Sequence, residues 1–371
     1  MTSPQGVVVG VDASRAYRPR PTGTETYASE LIRALVGRGS ERYVLYTRLP
    51  PRDPPAGAEV RVLASPRLWT HTRLALEVAR RPPGALFIPA HVMPAVCRVP
   101  CVVTVHDLGH RAFPKTHTWW QRQYLEWTTR RHVRGAAALI ADSSSTARDL
   151  TEAYGVPASR IRVAPLGVAP RFRPLAAGDV DEVRFRAGLR RDQRYFLHVG
   201  TVQPRKNLDT LVEAFAVVAG RRPDLALVLA GARGWGHCRP EETARRLGVA
   251  DRVLRLGYAP GADLPALYSG ALACALPSLY EGFGLTALES MACGSPVVGS
   301  TASSVPEVVG DTGLLVDPTS VDDVAAALAR LADEASLRAT LARAATRRAA
   351  GFTWGRTARI VADVLVAVAR R

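Results

Sequence analysis

Lysine and asparagine are nearly missing from this 371-residue chain: Lys115 and Lys206 are its only lysines and Asn207 its only asparagine, although Lys and Arg together number 49. The skew reads as a genome-wide preference for Arg, Ala, Gly and Pro, so arginine number alone says little about partners. Long apolar runs are absent, and no window approaches the ~18 consecutive apolar residues of a spanning helix. The opening MTSPQGVVVGVD has no basic n-region, and its apolar run is strand-sized, which argues against a secretory leader. The five cysteines (Cys97, Cys101, Cys238, Cys274 and Cys293) are odd in number and show no CxxC spacing. They read as reduced packing residues of a cytoplasmic protein. Several signatures are also missing. The glycines Gly231, Gly234 and Gly236 come in the wrong order for a GxGxxG fingerprint, which disfavours a nicotinamide enzyme. No GxxxxGK[ST] or HExxH occurs, and the one DxD, Asp179-Val180-Asp181, lies in the charged stretch before the second set of strands, so a P-loop, a zincin and a carboxylate-held metal have no support. No cofactor and no metal are expected.

What is present is 47% hydrophobic residues over a length that allows two ordinary cores. The net charge of +16 is uneven: residues 1–168 carry 23 basic and 12 acidic side chains, a net of +11, and residues 169–371 carry 26 and 21, a net of +5. An anionic partner is therefore expected on the first half.

Short apolar runs alternate with amphipathic patterns throughout. They are Val7–Val11, Val44–Tyr46, Val60–Leu63, Leu86–Ile88, Val102–Val105 and Ala138–Ala141, then Tyr195–Val199, Ala226–Leu229, Val253–Leu256, Ala271–Leu276 and Val297–Gly299. Strands apolar on both faces, separated by helices, indicate parallel sheets covered on both sides. The expectation is an α/β chain of two doubly wound, Rossmann-like domains facing across a cleft. Domain one covers residues 1–168, a charged linker 169–192, domain two 193–352, and a last helix, starting at Thr353-Trp354, runs over 353–371. Each half opens with a strand, a polar loop and a helix, and ligands of such sheets collect at the carboxyl ends of the strands.

The sharpest local signal is Gly200-Thr201-Val202-Gln203-Pro204-Arg205-Lys206-Asn207. Gly200 ends a strand, where a missing Cβ allows a ligand close to the backbone. Arg205 and Lys206 stand just before a helix and add two cations to its positive end, a natural seat for a diphosphate. A solvated basic turn is the plain alternative. Against it, the chain places one of its two lysines and its sole asparagine side by side here. A second signal is Glu281-Gly282-Phe283-Gly284-Leu285, followed by Glu289. Gly282 and Gly284 leave backbone N–H groups exposed where a helix begins, and the carboxylates can accept from paired hydroxyls, Glu281 from a sugar and Glu289 from a ribose. In the first half, Thr22-Gly23-Thr24-Glu25 opens a helix and His106-Asp107 closes a strand. A histidine there can bond a sugar or position a reacting group. His91, His110, His117 and His198 receive no assignment.

With these segments in view, the chain resembles the retaining glycosyltransferases of family 4 over essentially its full length. Glu281 and Glu289 match that family's E-x7-E motif, and Gly200-Thr201 with Arg205-Lys206-Asn207 matches its diphosphate-binding segment. His106-Asp107, Ala141-Asp142-Ser143-Ser144 and Pro165-Leu166-Gly167-Val168 stand in the family's order, and Phe352-Thr353-Trp354 resembles the start of a final helix that crosses back to the first domain. Two departures stand out: Gln203, where many members carry Glu, and Thr22-Gly23-Thr24 in place of a double glycine. The resemblance implies the two-domain GT-B fold and metal-independent transfer of a hexose from a nucleotide-diphosphate sugar, with retention. Arg205 and Lys206 would neutralise the departing diphosphate. Glu281 and the backbone of Gly282, Phe283, Gly284 and Leu285 would hold the sugar, with Glu289 on the ribose. Gly200 and Thr201 would border the phosphates, with Tyr258 near the base. Gly23 would approach donor phosphate or acceptor, and His106 would sit beside the sugar. GDP-mannose is preferred over a UDP-sugar by general likeness to bacterial mannosyltransferases. The acceptor would be a glycan, a lipid-linked or a small molecule.

Between Trp119 and Arg134 lie three of the six tryptophans, with Trp120, Tyr124 and Trp127 at helical spacing among arginines. Such a stripe is expected to pack into the domain. The competing reading is an interfacial helix on an anionic membrane at the inner face of the cell. Two further readings remain: an epimerase or sugar phosphorylase on the same architecture, or a basic membrane- or nucleic-acid-binding protein with a degenerate site. The intact Arg205, Lys206, Glu281 and Glu289 argue against the last, and no nucleic-acid partner is expected.

Overall fold

The computed structural model of the chain describes residues 6–64, 68–89, 92–113, 119–234, 236 and 238–371. Lys115, His91 and His117, named above, lie outside them. Contacts divide the chain into two units. One comprises residues 1–108, 120–167 and 353–371, and the other 109–119 and 168–352.

The first unit is built on β1 (Val8–Asp12), β2 (Arg42–Thr47), β3 (Glu59–Val62), β4 (Ala85–Ile88), β5 (Cys101–Val105), β6 (Ala138–Ala141) and β7 (Ile161–Val163). All strands pair in parallel, in the order β3-β2-β1-β4-β5-β6-β7. The central strands read ALFI and CVVTV and are buried at every position, as a sheet covered on both faces requires. The helices of this unit are α1 (Gly23–Gly37), α2 (Ala75–Arg80), α4 (Trp119–Gly135) and α5 (Ser144–Tyr154), while α3 (Gly109–Ala112), between them in the chain, belongs to the second unit.

The second unit repeats the plan, starting with α6 (Ala177–Arg186), which falls inside the stretch expected to be linker. Its strands are β8 (Arg194–Val199), β9 (Leu225–Ala230), β10 (Val253–Gly257), β11 (Ala273–Leu276), β12 (Val297–Ser300) and β13 (Leu314–Val316), again parallel, in the order β10-β9-β8-β11-β12-β13. Its helices are α7 (Leu208–Ala219), α8 (Pro240–Arg246), α9 (Leu264–Ser269), α10 (Leu285–Ala292), α11 (Val305–Val309), α12 (Val321–Asp333) and α13 (Ala335–Ala349). A core of Phe196, Leu211, Phe215, Leu227, Leu328 and Leu331 joins α7 and α12 to the sheet. In each sheet the order reverses beside the first strand, at β1/β4 and at β8/β11, the places where doubly wound folds bind ligands.

The last helix, α14 (Trp354–Ala369), belongs to the first unit, where it packs on α1, β4, β5 and β6. Thr353 caps it, accepting from the Arg356 N–H at 3.2 Å. Gly167 makes this junction: a Cβ there would lie 2.1 Å from the Trp354 nitrogen. The Thr357 hydroxyl closes it by donating to the Pro165 carbonyl at 2.6 Å. Among the described residues no helix is long and apolar enough to cross a membrane.

One expectation fails. The aromatic stripe of α4 is not core: Trp119, Trp120, Tyr124 and Trp127 are 56%, 76%, 50% and 49% exposed. The helix buries a different face, made of Thr128, Thr129, His132 and Val133, and the His132 Nε2 accepts from the Met93 N–H at 3.0 Å. The spacing correctly places the aromatics on one side, but the small hydroxyls and the satisfied histidine fit the packed side better. The strands β7 and β13 went unread because both are three-residue edge strands, too short for a periodic signal.

Candidate functional site

At the carboxyl edge of the second sheet, the chain leaves β8 through Gly200. Here φ is +157°, in the range that favours glycine, and a Cβ would crowd the His198 Nε2 at 3.3 Å and the Lys206 Cε at 3.4 Å. The residues Pro204, Arg205 and Lys206 form a short 3₁₀ turn, and Asn207 follows in the left-handed conformation (φ +57°) at the start of α7. Asparagine tolerates that conformation better than other side-chain-bearing residues. It also donates to the Pro318 carbonyl and accepts from the Thr210 hydroxyl at 2.8 Å. The single asparagine thus has a backbone reason for its place, and the compositional argument for ligand contact carries over to Lys206 alone.

The loop after β11 meets this turn. Arg205 Nη1 donates to the Tyr280 carbonyl (2.8 Å) and to Glu281 Oε2 (2.9 Å), while Lys206 Nζ donates to Glu281 Oε1 (2.5 Å). The Leu279 N–H returns a bond to the Arg205 carbonyl at 2.8 Å. Turned with its amide oxygen toward Arg205, Gln203 lies 3.1 Å from the Arg205 Nε. Burial would raise the pKa of Glu281, but Lys206 and then Arg205 overcome it and hold the carboxyl well below the usual range. Lys206 and Glu281 are both nearly buried, and Arg205 keeps 21% of its side chain exposed.

The backbone of Glu281 is clamped from β12's side. Its N–H donates to the Ser303 hydroxyl at 3.1 Å, and its carbonyl accepts from Ser303 and, at 2.8 Å, from Ser304. Ser303 holds φ +62°, so local strain buys this double contact. Gly284, at φ +99°, turns the chain into α10. Glu289 sits one turn further, buried, and accepts from the Tyr268 hydroxyl at 3.1 Å. Tyr258 follows β10, two strands from β8, and is 37% exposed. His198 is a core residue: its Nδ1 meets the Ala275 carbonyl at 2.9 Å, and burial, then Lys206, push it down to about 4, so the ring is neutral.

In the first unit, Gly23 opens α1 beneath a capping box in which Thr22 and Glu25 bond reciprocally, with Arg15 on Glu25 at 2.8 Å. A Cβ at Gly23 would meet nothing within 4 Å, so the folded chain itself gives no steric reason for glycine there. His106 closes β5 with Nδ1 on Asp142 Oδ2 at 2.6 Å and Nε2 on the Pro89 carbonyl at 2.9 Å. The carbonyl only accepts, so Nε2 carries a proton, and Nδ1 shares another with the Asp142 carboxyl. Burial would lower the pKa of the ring, but Asp142 raises it above the ordinary value. Neither nitrogen is left to serve as a base.

Sequence reasoning did not assign Asp142, Ser303 or Tyr268. The first had a signal in reach: β5 and β6 pair with Val105 opposite Ala141, which sets the next residues, His106 and Asp142, side by side.

Two family models match the chain, Glycosyltransferase Family 4 over residues 21–172 and glycosyl transferases group 1 over residues 179–348. The D-inositol 3-phosphate glycosyltransferase of Thermomonospora curvata is 31% identical over 90% of this chain and 88% of its own length. The O-antigen chain mannosyltransferase B of Escherichia coli is 33% identical over 68% of this chain and 66% of its own. Against further D-inositol 3-phosphate glycosyltransferases the match spans 61%, 56% and 58% of their lengths. The structure of Anabaena Alr3699/HepE in complex with UDP and glucose superposes with a TM-score of 0.75 at 20% identity, covering 97% of this chain and 99% of that one. Two parallel Rossmann-like domains of this kind are the GT-B architecture. The chain belongs to glycosyltransferase family 4.

Proposed function

We propose that the chain moves a hexosyl group from a nucleotide-diphosphate sugar to a hydroxyl acceptor with retention at the anomeric carbon and without a metal. The observation that carries this reading is the triad Arg205–Glu281–Lys206 at the carboxyl edge of β8 and β11. Two cations share one carboxylate, so the cluster keeps a positive charge for a diphosphate. Breaking the anomeric bond develops an oxocarbenium-like sugar and adds one negative charge to the departing diphosphate. Arg205 and Lys206, already fixed by Glu281, meet that charge without reorganising, the role a metal plays elsewhere. Glu281 then faces the sugar hydroxyls, the N–H groups from Gly282 to Leu285 border the donor, and Glu289 takes the ribose diol. Gly200 and Thr201 line the phosphates, with Tyr258 near the base. No enzymatic nucleophile is assigned, and the acceptor attacks on the face the diphosphate leaves, the diphosphate oxygen taking its proton.

Gly23 and His106 are the ligand contacts of the first unit in this reading. The open space over Gly23 supports the first, and His106 acts there as a ring fixed by Asp142 and the Pro89 carbonyl. GDP-mannose is the preferred donor, supported by the mannosyltransferase name of the E. coli relative, and UDP-glucose the alternative, supported by the UDP and glucose of the Anabaena structure. The acceptor is lipid-linked. The support is α4, whose exposed Trp120, Tyr124 and Trp127 continue along the same face into Arg131 and Arg134, the composition of a helix lying on an anionic bilayer at its cytoplasmic face.

Product analysis tests the reaction. Nucleoside diphosphate released from the donor only when acceptor is present, in EDTA, with the donor's anomeric configuration kept, is the expected result. Acceptor-independent turnover would indicate the epimerase alternative, and an inverted product would overturn the mechanism.

A further inference from the structure

The opposite edge of the second sheet carries a pocket of about 320 Å³. Its floor is made by residues that precede the strands: Gln193 and Arg194 at the start of β8, Leu272 before β11 and Pro296 before β12. Six residues of strand separate this floor from Gly200, roughly 20 Å at the usual rise. It is therefore not part of the donor site. One wall is the first half of α13, which presents Ala335, Arg338, Ala339 and Ala342.

Three guanidiniums line the pocket, those of Arg184, Arg194 and Arg338, and no acidic residue does. Each has a structural tie. Arg184 Nη2 donates to the Gln193 carbonyl at 2.6 Å, with Asp181 at 3.5 Å from Nη1. Arg194 pairs with Asp224 at 2.7 Å and donates from Nη1 to the Ala332 carbonyl at 2.9 Å. Arg338 donates from Nη1 to the last carbonyls of α12, Leu331 at 2.7 Å and Ala332 at 3.1 Å. These ties leave donors over, since a guanidinium carries five N–H groups. The Nε and Nη2 of Arg338 make no hydrogen bond among the described residues, and the buried Nε of Arg184 has no partner among them. Burial, and next the charge of Arg194, push Arg338 below its ordinary range. The N-terminal end of the 15-residue α13 adds its positive pole on the same side.

From this pocket we infer a second ligand site, for the phosphoryl group of a small molecule, seated on Arg184, Arg194 and Arg338 at the amino edge of the second sheet. Guanidinium forks and a helix N-terminus recognise phosphoryl oxygens together, and a pocket of this size accepts a sugar phosphate or an inorganic diphosphate.

The test is calorimetric titration with inorganic phosphate, inorganic diphosphate and glucose 1-phosphate in the Arg205→Ala chain, which weakens the donor site, with Ala339→Glu added on that background to report on the second pocket alone. Saturable binding is expected, weakened about tenfold or more by Ala339→Glu, which places a carboxylate on the exposed wall without removing any of the ties above. Arg338→Gln should weaken it as well. Binding absent for all three anions, or unchanged in Ala339→Glu while that variant keeps the parent's melting temperature, overturns the site. Neither outcome touches the reading of the donor site, because Ala339 lies at the opposite edge of the sheet from Arg205.

Discussion

Replacing Glu281 with glutamine separates the two tasks given to that residue. Its carboxylate is the shared anion of Arg205 and Lys206, and in the proposed reaction it also faces the sugar hydroxyls, a contact whose shape an amide keeps while the charge is lost. Lys206 keeps 9% of its side chain exposed and Arg205 21%, so Glu281→Gln leaves one nearly buried and one partly solvated cation short of a partner. Removing one member of a buried pair costs about 3–5 kcal/mol, and the partial exposure of Arg205 argues for the lower end, about 3 kcal/mol. For a unit of this size that is a fall of about 6–12 °C in melting temperature. A nucleoside diphosphate brings its own negative charge to the two cations, so it should stabilise the variant more than the wild type, while sugar transfer collapses. The pH dependence has a definite sign. The folded pKa of Glu281 is lowered from 4.5, so its contribution is present above that value and is lost as pH falls through the folded one. Glu281→Gln should flatten this acid limb. Differential scanning calorimetry between neutral and acid pH, with and without nucleoside diphosphate, reads all three effects. A variant as stable as wild type at neutral pH, or one that gains less from the diphosphate, would refute the shared-anion reasoning.

Glu289→Gln should raise the donor KM by about 10- to 100-fold, the range for one charge-assisted hydrogen bond, with kcat little changed, as steady-state kinetics would show. In Asp142→Asn the His106 ring loses the carboxylate that raises its pKa. Its NMR titration midpoint should fall, and the stability it supplies below pH 6.5, lost as pH rises through the folded value, should shrink with it. Gly167→Ala drives a Cβ onto the Trp354 backbone and should cost about 3 kcal/mol or more, with amide exchange rising in α14 first. Changing Trp120, Tyr124 and Trp127 together to serine should abolish co-sedimentation with anionic vesicles and leave the melting temperature within about 2 °C, because the three are exposed. Unchanged sedimentation would remove the membrane from the account.

The donor edge was readable because its parts are contiguous. Gly200 through Asn207 is one strand end, one turn and one helix start, and Glu281 to Glu289 is another, so local chemistry and spacing suffice. What joins them is not contiguous. The bonds from Arg205 and Lys206 to Glu281 span 76 and 75 residues, and the Ser303 clamp on Glu281 spans 22. They exist because β8 and β11 are neighbours in the sheet, and β11 and β12 next to them, an order that no single segment encodes. The same holds for His106 and Asp142, which meet only through the register of β5 on β6. On α4 the sequence offered two stripes, and periodicity ranks stripes by hydrophobicity. The packed one, with Thr128, Thr129 and His132, is the less hydrophobic, so the choice was made by the fit of small side chains against the sheet.

The central claim is that a nucleoside diphosphate binds the second unit on Arg205 and Lys206 with no metal. Isothermal titration of wild type and Arg205→Ala with GDP and UDP in excess EDTA addresses it most directly. The account predicts tight binding of one of the two nucleotides to the wild type, weakened about tenfold or more in Arg205→Ala. Binding that requires a divalent cation, or that is indifferent to Arg205, would contradict it.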